Sequence, residues 1–176
     1  MKRVISLFAA VAVTVVMSAS VADAQSPIRF GLAGGISVPT GDGSDDVETG
    51  FHGQVMLGFG MIALPVKLRA DVSYHKWSGK DGTLAAGIDQ RVISGALNAN
   101  FGLGGIGVRP YLSGGLGVYN SKVEDFDAET NFGINGGVGL EFSLTGMSTF
   151  LEARYVNVFT EGESTKFIPI TFGILF

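Results

Sequence analysis

The chain has 176 residues, 12 basic and 16 acidic side chains, a formal net charge of −4 and no cysteine. That length suits one domain with its own packed interior, and the acidic balance argues against nucleic acid as a partner. Without cysteine there is no disulfide framework, no thiolate zinc site and no cysteine nucleophile.

The first element is an export signal. Met1-Lys2-Arg3 is followed by an apolar run over 4–17 and by the small-residue site Ala22-Asp23-Ala24, the three parts of a cleavable secretory signal peptide. The expected cut leaves residues 1–24 as signal and 25–176 as the mature domain, beginning at Gln25. The apolar run is shorter than the roughly 20 residues a helix needs to span a bilayer.

The rest of the chain alternates with period two, the mark of β-strands, whose successive side chains point to opposite faces. The first strand, 27–38, sets Ile28, Phe30, Leu32, Ile36 and Val38 against Arg29, Gly31, Ala33, Gly35 and Ser37. The second, 50–61, sets Phe51, Val55, Leu57 and Phe59 against His52 and Gln54. The third, 65–77, contains VKLRADVSYH, in which Lys67, Arg69, Asp71 and Ser73 interleave with Val66, Leu68, Ala70, Val72 and Tyr74. The fourth, 90–101, opposes Ile93, Leu97 and Phe101 to Ser94, Asn98 and Asn100. Next, GLGGIG at 102–107 satisfies the dinucleotide pattern G-x-G-x-x-G, but no helix follows it, so it reads as a hairpin turn.

The fifth strand, 106–119, pairs Val108, Leu112, Leu116 and Val118 with Arg109, Ser113, Gly115 and Gly117 on the other face. The sixth, 131–143, carries Phe132, Ile134, Val138, Leu140 and Phe142 against Asn131, Asn135, Gly137 and Glu141. The seventh, 148–159, has Leu151, Tyr155 and Phe159 opposite Glu152 and Arg154, with Asn157 as a polar exception on the apolar face. The eighth, 166–176, ends with Ile168, Ile170, Phe172, Ile174 and Phe176 on one face. Tight links near Ala63-Leu64, Leu103-Gly104 and Thr145-Gly146-Met147 alternate with longer polar links over 39–49, 78–89, 120–130 and 160–165. Eight strands with alternating short and long connections predict an all-β fold: an antiparallel up-and-down transmembrane β-barrel.

The inward face is decided by volume. A solvated face tolerates long Lys and Glu side chains, whereas here the polar face is mostly Gly, Ser, Asn and Ala with a few charges. An eight-stranded barrel has room inside only for its own side chains, so the small polar set fills the lumen and the apolar set faces lipid. Aromatics then form two girdles: Phe51, Tyr74, Phe132 and Phe159 at the long-loop end with Trp77 just beyond, and Phe30, Phe59, Phe101, Phe142 and Phe176 at the turn end.

The stretch ITFGILF, with Ile170, Phe172, Ile174 and Phe176 on one face, resembles the C-terminal signature of bacterial outer-membrane proteins. The whole mature chain is similar in layout to small eight-stranded barrels of the OmpA transmembrane-domain, OmpX and OmpW type. That resemblance implies a bacterial outer-membrane location, contact with outer-membrane lipid and lipopolysaccharide, and insertion by the barrel-assembly machinery, which would read those four residues. A monomer is expected.

The candidate chemistry is in the lumen. Arg29, Lys67, Arg69, Arg109, Glu141, Glu152 and Arg154 share the turn-end half, with Asp71 near mid-height. Charges in so narrow a space must pair and hydrogen-bond. They read either as a plug of salt bridges or as the gate of a narrow channel for small or apolar solutes, and the diameter favours the plug. One cluster containing both Glu141 and Arg154 is expected, with Asn98 and Asn100 as acceptors for Lys67 and Arg69 and water above. A lipid A-modifying enzyme resembling a serine hydrolase would place its histidine on the lipid-facing wall; His52 and His75 have lumen parity and read as polar rim residues, so no catalytic activity and no cofactor are expected. The loops hold Asp42, Asp45, Asp46, Glu48, Asp81, Asp89, Glu124, Asp125, Asp127, Glu129, Glu161 and Glu163. They read as solvated loops, with divalent-cation bridging to lipopolysaccharide phosphates as the alternative.

Overall fold

The computed structural model describes residues 28–41, 44–60, 66–83, 86–124, 126–144, 146–160 and 164–176. The expected signal peptide and its cut before Gln25, the turn at Ala63-Leu64, Thr145, and the loop carboxylates Asp42, Asp125, Glu161 and Glu163 lie outside the described residues.

Period-two sequence becomes strand throughout. The strands are β1 (Ile28–Thr40), β2 (Gly50–Gly60), β3 (Val66–Ser78), β4 (Asp89–Gly102), β5 (Val108–Val123), β6 (Glu129–Leu144), β7 (Met147–Val158) and β8 (Thr165–Leu175). Each pairs antiparallel with its neighbours in sequence, and β8 returns to β1 from Gly31↔Leu175 to Thr40↔Lys166, closing the barrel. Closure removes sheet edges, so the backbone meets lipid with its ladder hydrogen bonds made.

The faces fall as the volume argument requires. Outward side chains are apolar and bare: Leu97 is 65% exposed, Leu116 62% and Phe132 73%. Inward side chains are buried: polar ones such as Asp71, Asn98, Glu152 and Thr171, and, against the expectation of a small polar lumen, large apolar ones such as Trp77, Phe150, Val158 and Phe167. Such an inside-out distribution fits a barrel surrounded by hydrocarbon and not by water.

Two expectations need correction, and one loop adds a feature the sequence did not suggest. β5 and β6 run further toward the loop end than 119 and 131, because Asn120, Ser121, Glu129 and Thr130 look like loop by composition yet stay in register, with Asn120 Nδ2 donating to Thr130 Oγ1 at 2.8 Å. Trp77 is not in the outer girdle. β3 continues to Ser78, so Trp77 keeps the inward parity of Arg69, Asp71 and His75 and is buried in the lumen. The loop after β1 also folds back over the barrel: a 3₁₀ turn at Ser44–Asp46 leads to Val47, which bridges to Gly79 and packs against the cluster around Trp77.

Lumen volume is shared between glycines and large side chains on neighbouring strands. A Cβ on Gly137 would lie 2.6 Å from Arg154 Cγ, and one on Gly31 would lie 2.6 Å from Met56 Cγ. Gly139 faces Tyr111 and Gly173 faces Phe150 in the same way, each pair being direct register partners.

Candidate functional site

The lumen fills in three layers. At the turn end, Glu141 on β6 receives Lys67 Nζ from β3 at 2.7 and 3.0 Å, and Arg109 Nη2 from its register partner on β5 at 2.8 Å. Arg109 also bonds Ser143 Oγ. Arg29 Nη1 stands 3.9 Å from Glu141 and donates to Ser148 Oγ at 3.0 Å. The side chains of Lys67, Arg109 and Arg29 are 46%, 41% and 32% exposed, against 9% for Glu141, so this layer is a wet mouth.

One layer in, four charges form a closed neutral quartet. Arg69 Nη2 donates to Glu152 Oε1 at 2.7 Å and Arg69 Nε to Asp71 Oδ2 at 3.1 Å. Arg154 Nη1 donates to Asp71 Oδ2 at 3.1 Å, and its Nε lies 2.9 Å from Glu152 Oε1. Uncharged groups complete the set. Tyr111 Oη donates to Glu152 Oε2 at 2.8 Å, Asn98 Nδ2 to Asp71 Oδ2 at 2.8 Å, and Arg154 Nη2 to Gln54 Oε1 at 3.0 Å. The Arg69 guanidinium also sits 5.6 Å from the centre of the Phe150 ring. Two cations against two carboxylates, multiply hydrogen-bonded, is the arrangement under which desolvated charge is tolerated.

The third layer closes the loop-end half with rings. Ser37 Oγ lies 2.8 Å from His75 Nδ1 and 3.2 Å from His52 Nδ1, and His52 Nε2 is 2.9 Å from Thr171 Oγ1. His75 stacks between His52 at 5.0 Å and Trp77 at 5.6 Å, and Phe167 packs edge-on against both His75 and Trp77. The Trp77 indole N–H is tied to the Ser37 carbonyl at 2.9 Å. Val92, Tyr119, Val156 and Val158 complete this plate.

The eight charged lumen residues therefore meet, but in two groups: Arg29, Lys67 and Arg109 around Glu141, and Arg69, Asp71, Glu152 and Arg154 together. Arg154 and Glu141 do not share a cluster. Asn98 donates to Asp71 and is no acceptor for Arg69, and Asn100 accepts from Ser113. Rings stand at the loop end of the lumen, beyond the charges, and both histidines are 4% exposed and enclosed, not at a rim. Tyr111, Phe150, Phe167 and Thr171 belong to these layers without having stood out in the sequence, where inward parity is their one signal, whereas Ser37 was already in the inward set of the first strand. At the end of β8, Ile170, Phe172 and Phe176 face outward and exposed with Ile174 half-buried, and the Phe176 amide donates to the Phe30 carbonyl at 2.7 Å. Among the described residues no group of three His, Asp or Glu side chains is gathered to hold a metal ion.

The sequence matches the family described as outer membrane protein beta-barrel domain over residues 9–174. The chain belongs to this family. An outer-membrane barrel of this family sits in the bacterial outer membrane, and the inside-out surface agrees. No curated protein sequence matches the chain. Among solved structures, this outer-membrane barrel is similar in fold to Neisserial surface protein A (TM-score 0.69, 14% identity, 85% of this chain and 96% of that one). It is similar also to a major outer membrane protein of Thermus thermophilus (TM-score 0.54, 11% identity, 86% and 99%). The outer membrane enzyme PagL shares the fold as well (TM-score 0.50, 17% identity, 84% and 97%).

Proposed function

We propose that this outer-membrane barrel is a non-enzymatic, monomeric protein with a structural or surface-interaction role, closed to solutes by its own side chains. The carrying observation is the stacking of two unlike barriers, a buried charge quartet and a plate of rings, across one narrow lumen. An ion crossing the quartet must compete with paired charges, and crossing the plate it would exchange its hydration for apolar rings. The reading as a non-enzyme is supported by the position of His52 and His75, whose rings bond Ser37 and Thr171 inside the barrel and not a group on the lipid-facing wall.

Single-channel recording in planar bilayers tests the closure. Wild-type protein should conduct little. Arg154→Ala alone should stay nearly closed because the plate remains, whereas Arg154→Ala with Trp77→Ala should open a pore that prefers anions, drawn by Arg29, Lys67 and Arg109. A steady nanosiemens-scale wild-type pore would overturn the proposal in favour of a channel. Mass spectrometry of lipid A from cells with and without the protein tests the enzymatic alternative, and any difference in acylation would establish it.

A further inference from the structure

We propose that the outer wall of β3, β4 and β5 carries a binding site for a phosphate-bearing lipid headgroup of the outer leaflet, built from Lys76, Arg91 and Lys122. Lys76 is the register partner of Arg91, and Arg91 is the register partner of Lys122. All three have outward parity, the inward residues of these strands being His75 and Trp77, Val92, and Tyr119. Adjacent strands lie about 4.8 Å apart, so three cations share a row about 10 Å wide. Like charges directly opposite one another across strands are destabilising, so such a row calls for an anion from outside.

The local carboxylates neutralise Lys76 alone and leave Arg91 and Lys122 to an outside anion. Asp89 is engaged by Lys76 Nζ at 2.5 Å and by Ser78 Oγ at 2.9 Å, and Glu124 Oε2 accepts from the Asp89 amide at 3.4 Å. Arg91 and Lys122 have no ion pair among the described residues. Both line a notch of about 260 Å³ whose wall also includes Tyr74, Lys76, Asp89 and Glu124.

Height selects the occupant. One step toward the membrane from the row, Tyr74 pairs with Ile93, and both are exposed and face lipid. The cations therefore sit at the upper edge of the apolar belt, with the ring of Tyr74 at the interface beneath them, where headgroup phosphates lie. Arg presents a fork matched to phosphate and Lys a point charge, and together they recognise a doubly charged oxyanion held at that depth by its acyl chains.

The test uses full-length protein in detergent, with native mass spectrometry reading the retention of bis-phosphorylated lipid A. The double variant Arg91→Gln, Lys122→Gln should bind about tenfold more weakly, as expected for loss of a charge-assisted contact. Lys80→Gln with Lys166→Gln removes the same charge elsewhere and should bind like wild type. Dephosphorylated lipid A should bind wild type no better than it binds the double variant, and millimolar inorganic phosphate should not displace the phosphorylated lipid, marking the headgroup and not the free ion as the ligand. In detergent without anionic lipid, Arg91→Gln should be at least as heat-resistant as wild type because a repulsion has been removed. Equal loss in the two double variants would overturn the site, as would wild-type binding that disappears on chelation with EDTA, since that would indicate carboxylates holding the lipid through divalent cations.

Discussion

Glu152→Gln isolates the energetic worth of the quartet. Glu152 is 1% exposed and meets Arg69, Arg154 and Tyr111, so amidation leaves two buried guanidinium groups sharing the single carboxylate of Asp71. Removing one member of a buried ionic set costs about 3–5 kcal/mol, most of it the stranded charge. The comparison is Lys67→Gln at the mouth, where the side chain is 46% exposed and Glu141 keeps Arg109; an exposed pair of that kind is worth about 0–1 kcal/mol. Denaturant unfolding in lipid vesicles, followed by the fluorescence of Trp77, the single tryptophan, gives both numbers. Adding Arg69→Gln to Glu152→Gln restores neutrality and should recover part of the loss, with a coupling of about 0.5–3 kcal/mol. If Glu152→Gln costs no more than Lys67→Gln, the quartet is hydrated and the argument for a sealed lumen fails.

Further outcomes follow from other layers. Tyr111→Phe removes one donor to Glu152 without changing shape, and should cost about 1–3 kcal/mol in the same unfolding assay. Gly137→Ala should destabilise by about 1–3 kcal/mol through overpacking, since the new methyl would lie 2.6 Å from Arg154 Cγ and closer still to the Ala153 carbonyl oxygen, and because that oxygen is backbone most of the loss should persist when combined with Arg154→Ala. Leu116→Arg, on the lipid face, should cost about 2–4 kcal/mol in bilayers if Leu116 lies near the midplane. A neutral result there, measured by refolding yield and unfolding midpoint, would contradict the inside-out assignment. For Trp77, emission should be blue-shifted and acrylamide should quench it poorly, as befits an indole sealed between His75 and Phe167.

Facing was legible because alternation is local: Lys67, Arg69, Asp71 and Ser73 declare one face within a single short stretch. Trp77 continues the same odd-numbered series, but tryptophan's usual preference for the membrane interface competes with parity at a strand end, where composition marks the boundary poorly. The large inward rings were hidden for a different reason. Tyr111 and Phe150 fit only because Gly139 and Gly173 stand opposite them, and those pairings depend on register, which composition does not supply. The division of the charges into two groups was out of reach in the same way. Glu141 is the register partner of Phe150, two residues short of Glu152, and the bonds from Lys67 and Arg69 cross an interior that exists only once β8 meets β1.

The lumen charges also bear on how the barrel reaches its pairing. Lys67, Arg69 and Asp71 on β3, Glu141 on β6, and Glu152 and Arg154 on β7 all point inward in the observed register, and a slip by an odd number of residues would turn them out. A slip of one residue turns a whole strand over. For β3 it would present two cations and a carboxylate to the lipid side in a single step, at a cost rising from about 0–1 kcal/mol for a cation near the interface, as Lys67 is, toward about 2–4 kcal/mol for one near the midplane. The partners within the quartet lie as far as 83 residues apart, so the set completes only when the early and late strands have met correctly. The side chains that occlude the interior thus serve as a key cut to one pairing, penalising every misthreaded barrel before it can close.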